Sequence, residues 1–205
     1  MARKGANIPE RPDNAPGERD VEYWLGVYKS LNEVPDRYRL GNFEAEFARE
    51  DAWAAYLETR DDLAESTKKN AWYPCGDRFK NFMREEAGRH HALPKPDDIE
   101  GYLSHIKDGG YSIKVTERSV NTVYYQHLSP LKTFFNWLVH HVDYPHVYNP
   151  VLLAAHSGGV TREVWYWQTD YKPDYAERNN EWKSDNSRDD RRSVRTDDGP
   201  AGGVR

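Results

Sequence analysis

The sequence predicts a mainly α protein, with one helical domain of four to five helices between disordered ends. Apolar residues in the middle of the chain recur at helical spacing, and no strong two-residue alternation is found there. Of the 205 residues, 37% are hydrophobic and 31% are charged. That balance is polar for a fully compact chain and fits one ordered core with polar tails. The length also fits a single domain with tails.

The N-terminal part divides into a disordered arm and a helical extension. Residues 1–20 contain three prolines and two glycines without a hydrophobic period, so we predict disorder there. Residues 21–62 are predicted as a helical N-terminal extension. It would hold a short amphipathic helix within 21–39 that ends before Pro35, and a stronger helix over about 43–62.

The predicted domain proper spans residues 63–156, and its first helix carries clear end signals. Ser66 is a plausible N-cap, and Gly88 is a natural C-cap. Pro74 interrupts the pattern, because proline lacks an amide donor and clashes with the preceding turn. Either the helix kinks at Pro74, or two shorter helices over 66–73 and 77–87 meet near it.

Two further helices follow in the sequence pattern. One is capped by Asp97 or Asp98 and ends at the glycines after Asp108. The longest periodic segment runs over about 119–141, and Pro130 is predicted to kink it.

The last part of the pattern is short and then becomes aromatic and polar. A final helix should begin at Asn149 and Pro150, because proline is favoured at the first helical position. Residues 157–183 are interpreted as an aromatic-rich linker, and 184–205 as a disordered tail. The linker contains an aromatic cluster, which either packs on the domain or on a partner, or stacks on unpaired bases: Trp165, Tyr166, Trp167, Tyr171, Tyr175 and Trp182.

Several function classes are excluded or disfavoured by composition. No apolar run approaches 18 residues and no charged-then-apolar leader follows Met1, so neither a membrane span nor a secretory signal is predicted. Cys75 is the only cysteine, which excludes a disulfide and favours a reducing cytoplasm. We interpret Cys75 as a packing residue. No metal site is predicted, since adjacent histidines such as His90 and His91 point about 100° apart on a helix and cannot chelate one ion together. No cofactor or small-molecule substrate is predicted either.

Charge is distributed unevenly, which points to a surface for a polyanion. The whole chain has a net charge of -5, but residues 66–156 carry 11 lysines and arginines against 9 acids. No carboxylate occurs between Arg118 and His141. Over the same stretch, polar residues lie opposite the apolar stripe. They could form a solvated face or a DNA-facing one, since such side chains hydrogen-bond bases and phosphates: Asn121, Thr122, Tyr125, Gln126, Ser129, Lys132, Thr133 and Asn136.

A second candidate contact lies at the predicted start of the first helix. A helix N-terminus favours phosphate through its free amides and dipole. Alternatively, these residues are an ordinary capped helix start with solvated lysines. The residues concerned are Ser66, Thr67, Lys68, Lys69 and Asn70, with Arg78 extending the basic side further along the helix.

Three stretches, in order, carry a resemblance to a known family. The first is Tyr56, Leu57, Ser66, Thr67, Trp72, Tyr73, Phe79 and Phe82; the second is SVNTV at 119–123 with HLSPLKTFFNWL at 127–138; the third is Asn149 and Pro150. The block from about 53 to 155 thereby resembles the N-terminal core-binding, SAM-like domain of tyrosine recombinases (phage-type integrases).

The resemblance implies a fold, a partner and contact residues. The fold would be a SAM-like orthogonal bundle of four to five helices that clamps one face of duplex DNA. Position by position, its contacts would be the helix-start residues Ser66, Thr67, Lys68, Lys69 and Asn70, and Asn121, Thr122, Tyr125 and Lys132 on the long helix. A second copy of the chain or a full-length recombinase would be a further partner, and the location cytoplasmic, associated with the nucleoid when DNA is bound.

The resemblance does not extend to the strand-transfer chemistry of that family. That chemistry needs an arginine pair, a lysine, a His-x-x-Arg box and a tyrosine nucleophile, and no His-x-x-Arg occurs in this chain. The sequence therefore predicts a non-catalytic DNA-binding protein. Two alternatives stay open: a helical protein-interaction module that uses the acidic helix at 43–62, and an inactive remnant of a split integrase.

Overall fold

A computed structural model describes residues 21–112 and 116–167. Within these ranges the chain is mainly helical and contains no strand, so the prediction of a mainly α bundle is confirmed. Its helices are α1 (Glu44–Phe47), α2 (Ala52–Glu58), α3 (65–87), α4 (Pro96–Lys107), α5 (120–140), α6 (Pro150–Ser157) and α7 (Gly159–Tyr166). The predicted disorder of 1–20 and 184–205 lies outside the described residues.

The N-terminal part is less helical than predicted. The helix expected within 21–39 is wrong, because this segment forms only short 3-10 turns, at Val21–Tyr23, Leu31–Glu33 and Asp36–Tyr38. Gly26 and Pro35 interrupt it, one by its backbone freedom and the other by its missing amide. Val21 and Leu25 are nevertheless buried, so the segment is attached to the core.

The single helix predicted over about 43–62 is also wrong, because it is divided in two. α1 ends at Phe47, and α2 begins only at Ala52. Asp51 separates them, since its carboxylate accepts the Ala54 N–H at 3.1 Å and caps the new helix. The apolar period continues across this break, which is why the pattern suggested one helix.

α3 is continuous through Pro74 because its first turns are wide. A π-helical turn occupies Lys68–Trp72, ordinary α-helix follows over Tyr73–Phe82, and a second π turn ends at Gly88 in the left-handed conformation. A π turn contains an extra residue, which separates the proline ring from the preceding carbonyl. Ser66 lies inside the first turn and does not cap it; the helix begins at Glu65 after Ala64.

α5 repeats the same construction. Ser119 caps it by accepting the Thr122 N–H at 3.3 Å. A π turn then occupies Tyr124–Leu128, and the α-helical part Ser129–His140 follows with Pro130 inside it. The helix predicted over 119–141 is therefore present and continues through its proline.

The ends of α4 and α6 are set by prolines at their first positions. The predicted Asp97 or Asp98 cap of α4 is wrong: Lys95 is the N-cap, and the Asp98 carboxylate accepts the Lys95 N–H at 2.8 Å. In α6 the predicted start is confirmed, because Asn149 Oδ1 accepts the Val151 N–H at 2.9 Å before the helix.

One apolar core joins these elements, and it includes residues on both sides of position 63. Trp53 and Tyr56 of α2 meet Phe134 of α5 at ring-centroid distances of 4.8 and 5.6 Å. Tyr56 also meets Trp72 of α3 at 5.6 Å. Burying each such ring stabilises the fold by about 1.5–3 kcal/mol. The predicted extension thus shares the core of the predicted domain.

The first residues of the predicted linker at 157–183 are part of the bundle. α7 buries Thr161, Val164 and Trp165. Its N-terminus is held by Glu100 of α4, whose carboxylate accepts the amides of Val160 and Thr161 at 2.7 and 2.9 Å and the Thr161 hydroxyl at 2.6 Å. The aromatic residues Tyr171, Tyr175 and Trp182 lie outside the described residues.

Candidate nucleic-acid interface

The two predicted DNA-contact stretches are brought together where α3 crosses α5. Their π turns, Lys68–Trp72 and Tyr124–Leu128, pack against each other. Just beyond them, the Cys75 thiol donates to the His127 carbonyl oxygen at 3.7 Å. Stretches of sequence more than fifty residues apart therefore share one side of the bundle.

Five of the predicted contacts remain accessible around this crossing. Lys69, Asn70 and Asn121 are exposed, Tyr125 is 48% exposed, and Arg78 is partly exposed. We call these five residues the α3/α5 surface. Ser66 and Thr67 are exposed too, at the first turn of α3, where Glu65 already provides a carboxylate to the helix dipole.

Lys68 is held close to carboxylates and is mostly buried. Its ammonium lies 3.7 Å from the Glu65 carboxylate, and its side chain is only 11% exposed. It lines a cleft of about 410 Å³ between α2 and α3, whose other walls include Glu58, Asp61 and Asp77. The helix-start cluster is thus bordered by acids, a neighbourhood that the local sequence around 66–70 does not reveal.

Lys132 and Thr122 have roles inside the fold. The Lys132 ammonium lies 5.1 Å from the ring centre of buried Trp165, a cation–π contact that ties α5 to α7. The hydroxyl of Thr122 lies 2.9 Å from that of Ser119 and belongs to the start of α5. Neither residue is placed like Lys69 or Asn121, with a side chain directed into solvent.

An aromatic group borders the surface on the α7 side. The Tyr125 ring lies 5.1 Å from that of Tyr124 and 5.4 Å from that of Trp167, both in edge-to-face geometry. These contacts fix the orientation of Tyr125 while leaving about half of it exposed. Within the predicted aromatic segment, Trp165 is buried and Trp167 contacts the tyrosines of α5, so these two residues pack against the domain.

Arg118 is a charged neighbour of the surface that the sequence argument did not include. Its Nη1 group donates to the carbonyls of Ile106 and Gly110 at 2.6 and 2.8 Å, which fixes the guanidinium at the end of α4. Burial lowers the pKa of Arg118, and the positive charge of Arg78 lowers it further. The signal in the sequence was the acid-free run that begins at this residue.

A buried polar group lies beneath these two arginines. His127 Nδ1 is 2.9 Å from the Tyr102 hydroxyl, and its Nε2 has no hydrogen-bond partner in the part of the chain that the structure describes. Burial, Arg78 and Arg118 together lower the pKa of His127 to about 3, so the ring is neutral at physiological pH. Burial raises the pKa of the Cys75 thiol, which keeps it protonated and unreactive, as expected for a packing residue.

The histidine pairs are engaged in ordinary hydrogen bonds. His90 Nε2 lies 2.9 Å from the Glu50 carbonyl oxygen, and His91 Nε2 accepts the Trp53 N–H at 3.3 Å. Across residues 21–112 and 116–167, no three His, Cys, Asp or Glu side chains come together as a metal site. In the same ranges, no helix combines the length and apolar character needed to cross a bilayer.

Comparison with models of known protein families, with curated proteins and with solved structures found no match for this chain.

Proposed function

We propose that this protein binds duplex DNA through the α3/α5 surface and performs no chemistry on it. The observation that carries the proposal is the charge of α5. In a chain of net charge -5, residues 120–140 contain no Asp or Glu, and Lys69 and Arg78 stand beside them without a carboxylate partner among the described residues. A surface that approaches phosphates must exclude acids, because each carboxylate would repel the backbone.

The chemistry of the exposed side chains fits a mixed contact. Lys69 and Arg78 suit phosphates, whereas Asn70 and Asn121 carry amides that can hydrogen-bond phosphates or base edges. Tyr125 offers a hydroxyl and a ring held by its neighbours. With two cations, the surface would bind with modest affinity and a shallow salt dependence.

The resemblance to the core-binding domain of tyrosine recombinases supports a role in DNA integration or recombination. Because the chain lacks the His-x-x-Arg box of that family, the proposed role is binding, at a cytoplasmic or nucleoid location. A second copy of the chain or a full-length recombinase would supply the other contacts. A remnant of a split integrase would retain the same surface.

Fluorescence anisotropy with random and candidate-site duplexes, titrated in salt, tests this function. We expect the wild type to bind with log affinity falling linearly with log salt. Lys69→Glu should weaken binding and reduce the slope by about 0.9, the value of one lost phosphate contact. Asn121→Glu should also weaken binding, because it places a carboxylate on the acid-free helix.

Lys95→Glu is the matched control. Lys95 is exposed at the far end of α4 from Arg118, so the same charge reversal there should leave the slope nearly unchanged. Absence of wild-type binding at low salt would contradict the proposal. The exposed acids of α1, of α2 and of the turn after α2 would then become the candidate surface for a protein partner: Glu44, Glu46, Glu58, Asp61 and Asp62.

A further inference from the structure

Arg78 and Arg118 are two partly exposed arginines that lie beside α4. They come from α3 and from the residue that precedes the cap of α5. Among the described residues, neither makes an ion pair, although most other partly buried arginines and lysines do, such as Arg60 with Asp62 and Lys107 with Glu163. Phe79, the neighbour of Arg78, lies 5.0 Å from the Tyr102 ring of α4 between ring centroids, and Arg118 donates to the carbonyl of Ile106 one turn further along α4. In this position the positive charge of Arg78 adds to burial in lowering the pKa of Arg118.

The guanidinium of Arg118 is held in place with one edge unused. Nη1 donates both of its hydrogens, to the carbonyl oxygens of Ile106 and Gly110. A guanidinium has five N–H groups, so the Nη2 and Nε hydrogens remain. Those two atoms form the edge that binds two oxygens of one oxyanion in parallel. Because the carbonyls fix the group before a ligand arrives, little side-chain entropy is lost on binding.

We propose that Arg118, through its Nε and Nη2 edge, and Arg78 bind a single phosphate-type oxyanion beside the start of α5. Two guanidiniums supply two positive charges, which match the charge of a free phosphate or a phosphomonoester and exceed the single charge of a phosphodiester. The ligand relieves the repulsion between the arginines and adds charge-assisted hydrogen bonds. As a DNA contact this site rests on the proposed function; as an oxyanion site it stands separately.

The occupant has two chemical sources, a phosphodiester of the DNA backbone and a free phosphate or phosphomonoester. Both present the oxygen atoms that the Arg118 edge requires. The first source would make the arginine pair an anchoring point of the α3/α5 surface. The second would make it a small-molecule site next to that surface.

The first experiment is thermal unfolding with inorganic phosphate, against sodium chloride at equal ionic strength. We expect phosphate to raise the melting temperature of the wild type saturably, by several degrees, and to raise that of Arg78→Gln much less. Arg118→Lys keeps a charge and a donor for the two carbonyls but lacks the planar edge, so it should lose most of the phosphate effect while still folding. Arg49→Gln removes an equal charge from an exposed position between α1 and α2 and should respond like the wild type.

The proposal is overturned if phosphate gives the wild type no rise beyond that of chloride, or if Arg78→Gln gains as much as the wild type. A general salting effect on the protein surface would produce that second result.

The second experiment separates the two sources by repeating the salt titration of duplex binding. A slope reduced by about 0.9 in Arg78→Gln, together with the lost phosphate effect, identifies the backbone phosphodiester as the occupant. An unchanged slope with a lost phosphate effect assigns the site to free phosphate or a phosphomonoester. If the wild type binds no duplex while phosphate protection depends on Arg78, the proposed function fails and the oxyanion site stands.

Discussion

The two long helices α3 and α5 share an unusual backbone and differ in what they present to solvent. In each, a π turn ends two residues before a proline, at Pro74 and Pro130. In each, the residue between them donates its amide five residues back, from Tyr73 to Lys68 and from Ser129 to Tyr124. α3 carries acids and bases along its exposed side, whereas α5 carries no acid.

This comparison separates what the fold requires from what it leaves free. Both helices need a wide turn where they cross, because each also contains a proline that an ordinary α-helical turn would not accommodate. Nothing in that requirement determines the charge of the exposed face. The absence of carboxylates from α5 is therefore unexplained by packing, and a polyanionic partner provides a physical reason for it.

The largest expected difference between the two helices is at their contact with Trp53. A Cβ on Gly76 of α3 would lie only 2.2 Å from Trp53 Nε1, which is too close for two atoms that are not bonded. Phe134 of α5, by contrast, packs on the same indole at an ordinary ring-centroid distance of 4.8 Å. Gly76→Ala should therefore destabilise the protein by about 3 kcal/mol through overpacking. Urea unfolding measures this change.

Gly101→Ala in α4 is the control for that substitution. Its Cβ would meet Phe82 at an ordinary 3.4 Å, so alanine should stabilise the helix by about 0.5–1 kcal/mol. A Gly76→Ala variant as stable as the wild type would show that the indole is free to move away from α3.

A pH effect of about 2 kcal/mol should come from α5 and not from α3, which contains no histidine. The pKa of His127 is lowered to about 3 in the folded protein, and an unfolded histidine titrates near 6.5. Its contribution to stability is therefore complete above pH 6.5 and is lost as pH falls towards 3. Between pH 7 and pH 5 the free energy of unfolding should decrease by about 2 kcal/mol on this account.

His127→Gln should remove that part of the pH dependence, measured as the difference between urea unfolding at pH 7 and at pH 5. His91 and His146, whose pKa values burial lowers to about 3 and about 4, contribute in the same direction and remain in the variant. The exposed His140 of α5 provides the matched control for the substitution itself, as His140→Gln. If the change in unfolding free energy between pH 7 and pH 5 is the same in His127→Gln as in the wild type, the pKa of His127 does not differ between the folded and the unfolded protein.

The two helix starts should differ by about 1 kcal/mol in their sensitivity to loss of a serine. Ser119 accepts the Thr122 amide and caps α5, whereas Ser66 lies inside the first turn of α3. Ser119→Ala should therefore destabilise by about 1 kcal/mol, and Ser66→Ala by less than about 0.5 kcal/mol. Thermal unfolding of the two variants measures these changes. Equal losses of stability in Ser119→Ala and Ser66→Ala would indicate that Ser66 also caps its helix.

The smallest expected effects are those of the prolines. Because the π turns already accommodate them, Pro74→Ala and Pro130→Ala should each change stability by less than about 1 kcal/mol, towards destabilisation, as the unfolded chain gains freedom. A proline that strained an ordinary helix would instead give a gain of about 3 kcal/mol on replacement. If only one of the two replacements stabilised the protein by that amount, the two helices would not accommodate their prolines in the same way.

The elements with uninterrupted periodicity could be predicted from sequence, and those with local competition could not. α5 and α6 were located correctly, since their apolar spacing and caps agree with each other. The helix expected over 43–62 was wrong because Asp51 offers a side-chain cap that ends the run, although the apolar spacing continues across it. The π turns left no sign beyond the prolines that follow them.

For the candidate site, sequence located the faces but not the partners of individual side chains. Lys69 and Asn121 are exposed as expected. Lys68 and Lys132 are engaged by Glu65 and Trp165, and the second of these contacts spans 33 residues. Arg118 was missed because the fold alone brings it to the carbonyls of Ile106 and Gly110, and to the neighbourhood of Arg78, forty residues earlier.

The carboxylate of Glu100 also joins two parts of the chain that are synthesised at different times. The amides of Val160 and Thr161 that it binds are made sixty residues later, so water solvates this carboxylate until the last helix packs on α4. Contacts of such long sequence separation form late and slow the search for the native state. A chain that stops before residue 159 would therefore lack both the Glu100 contact and the buried Trp165, and we expect its bundle to be less stable than that of the full chain.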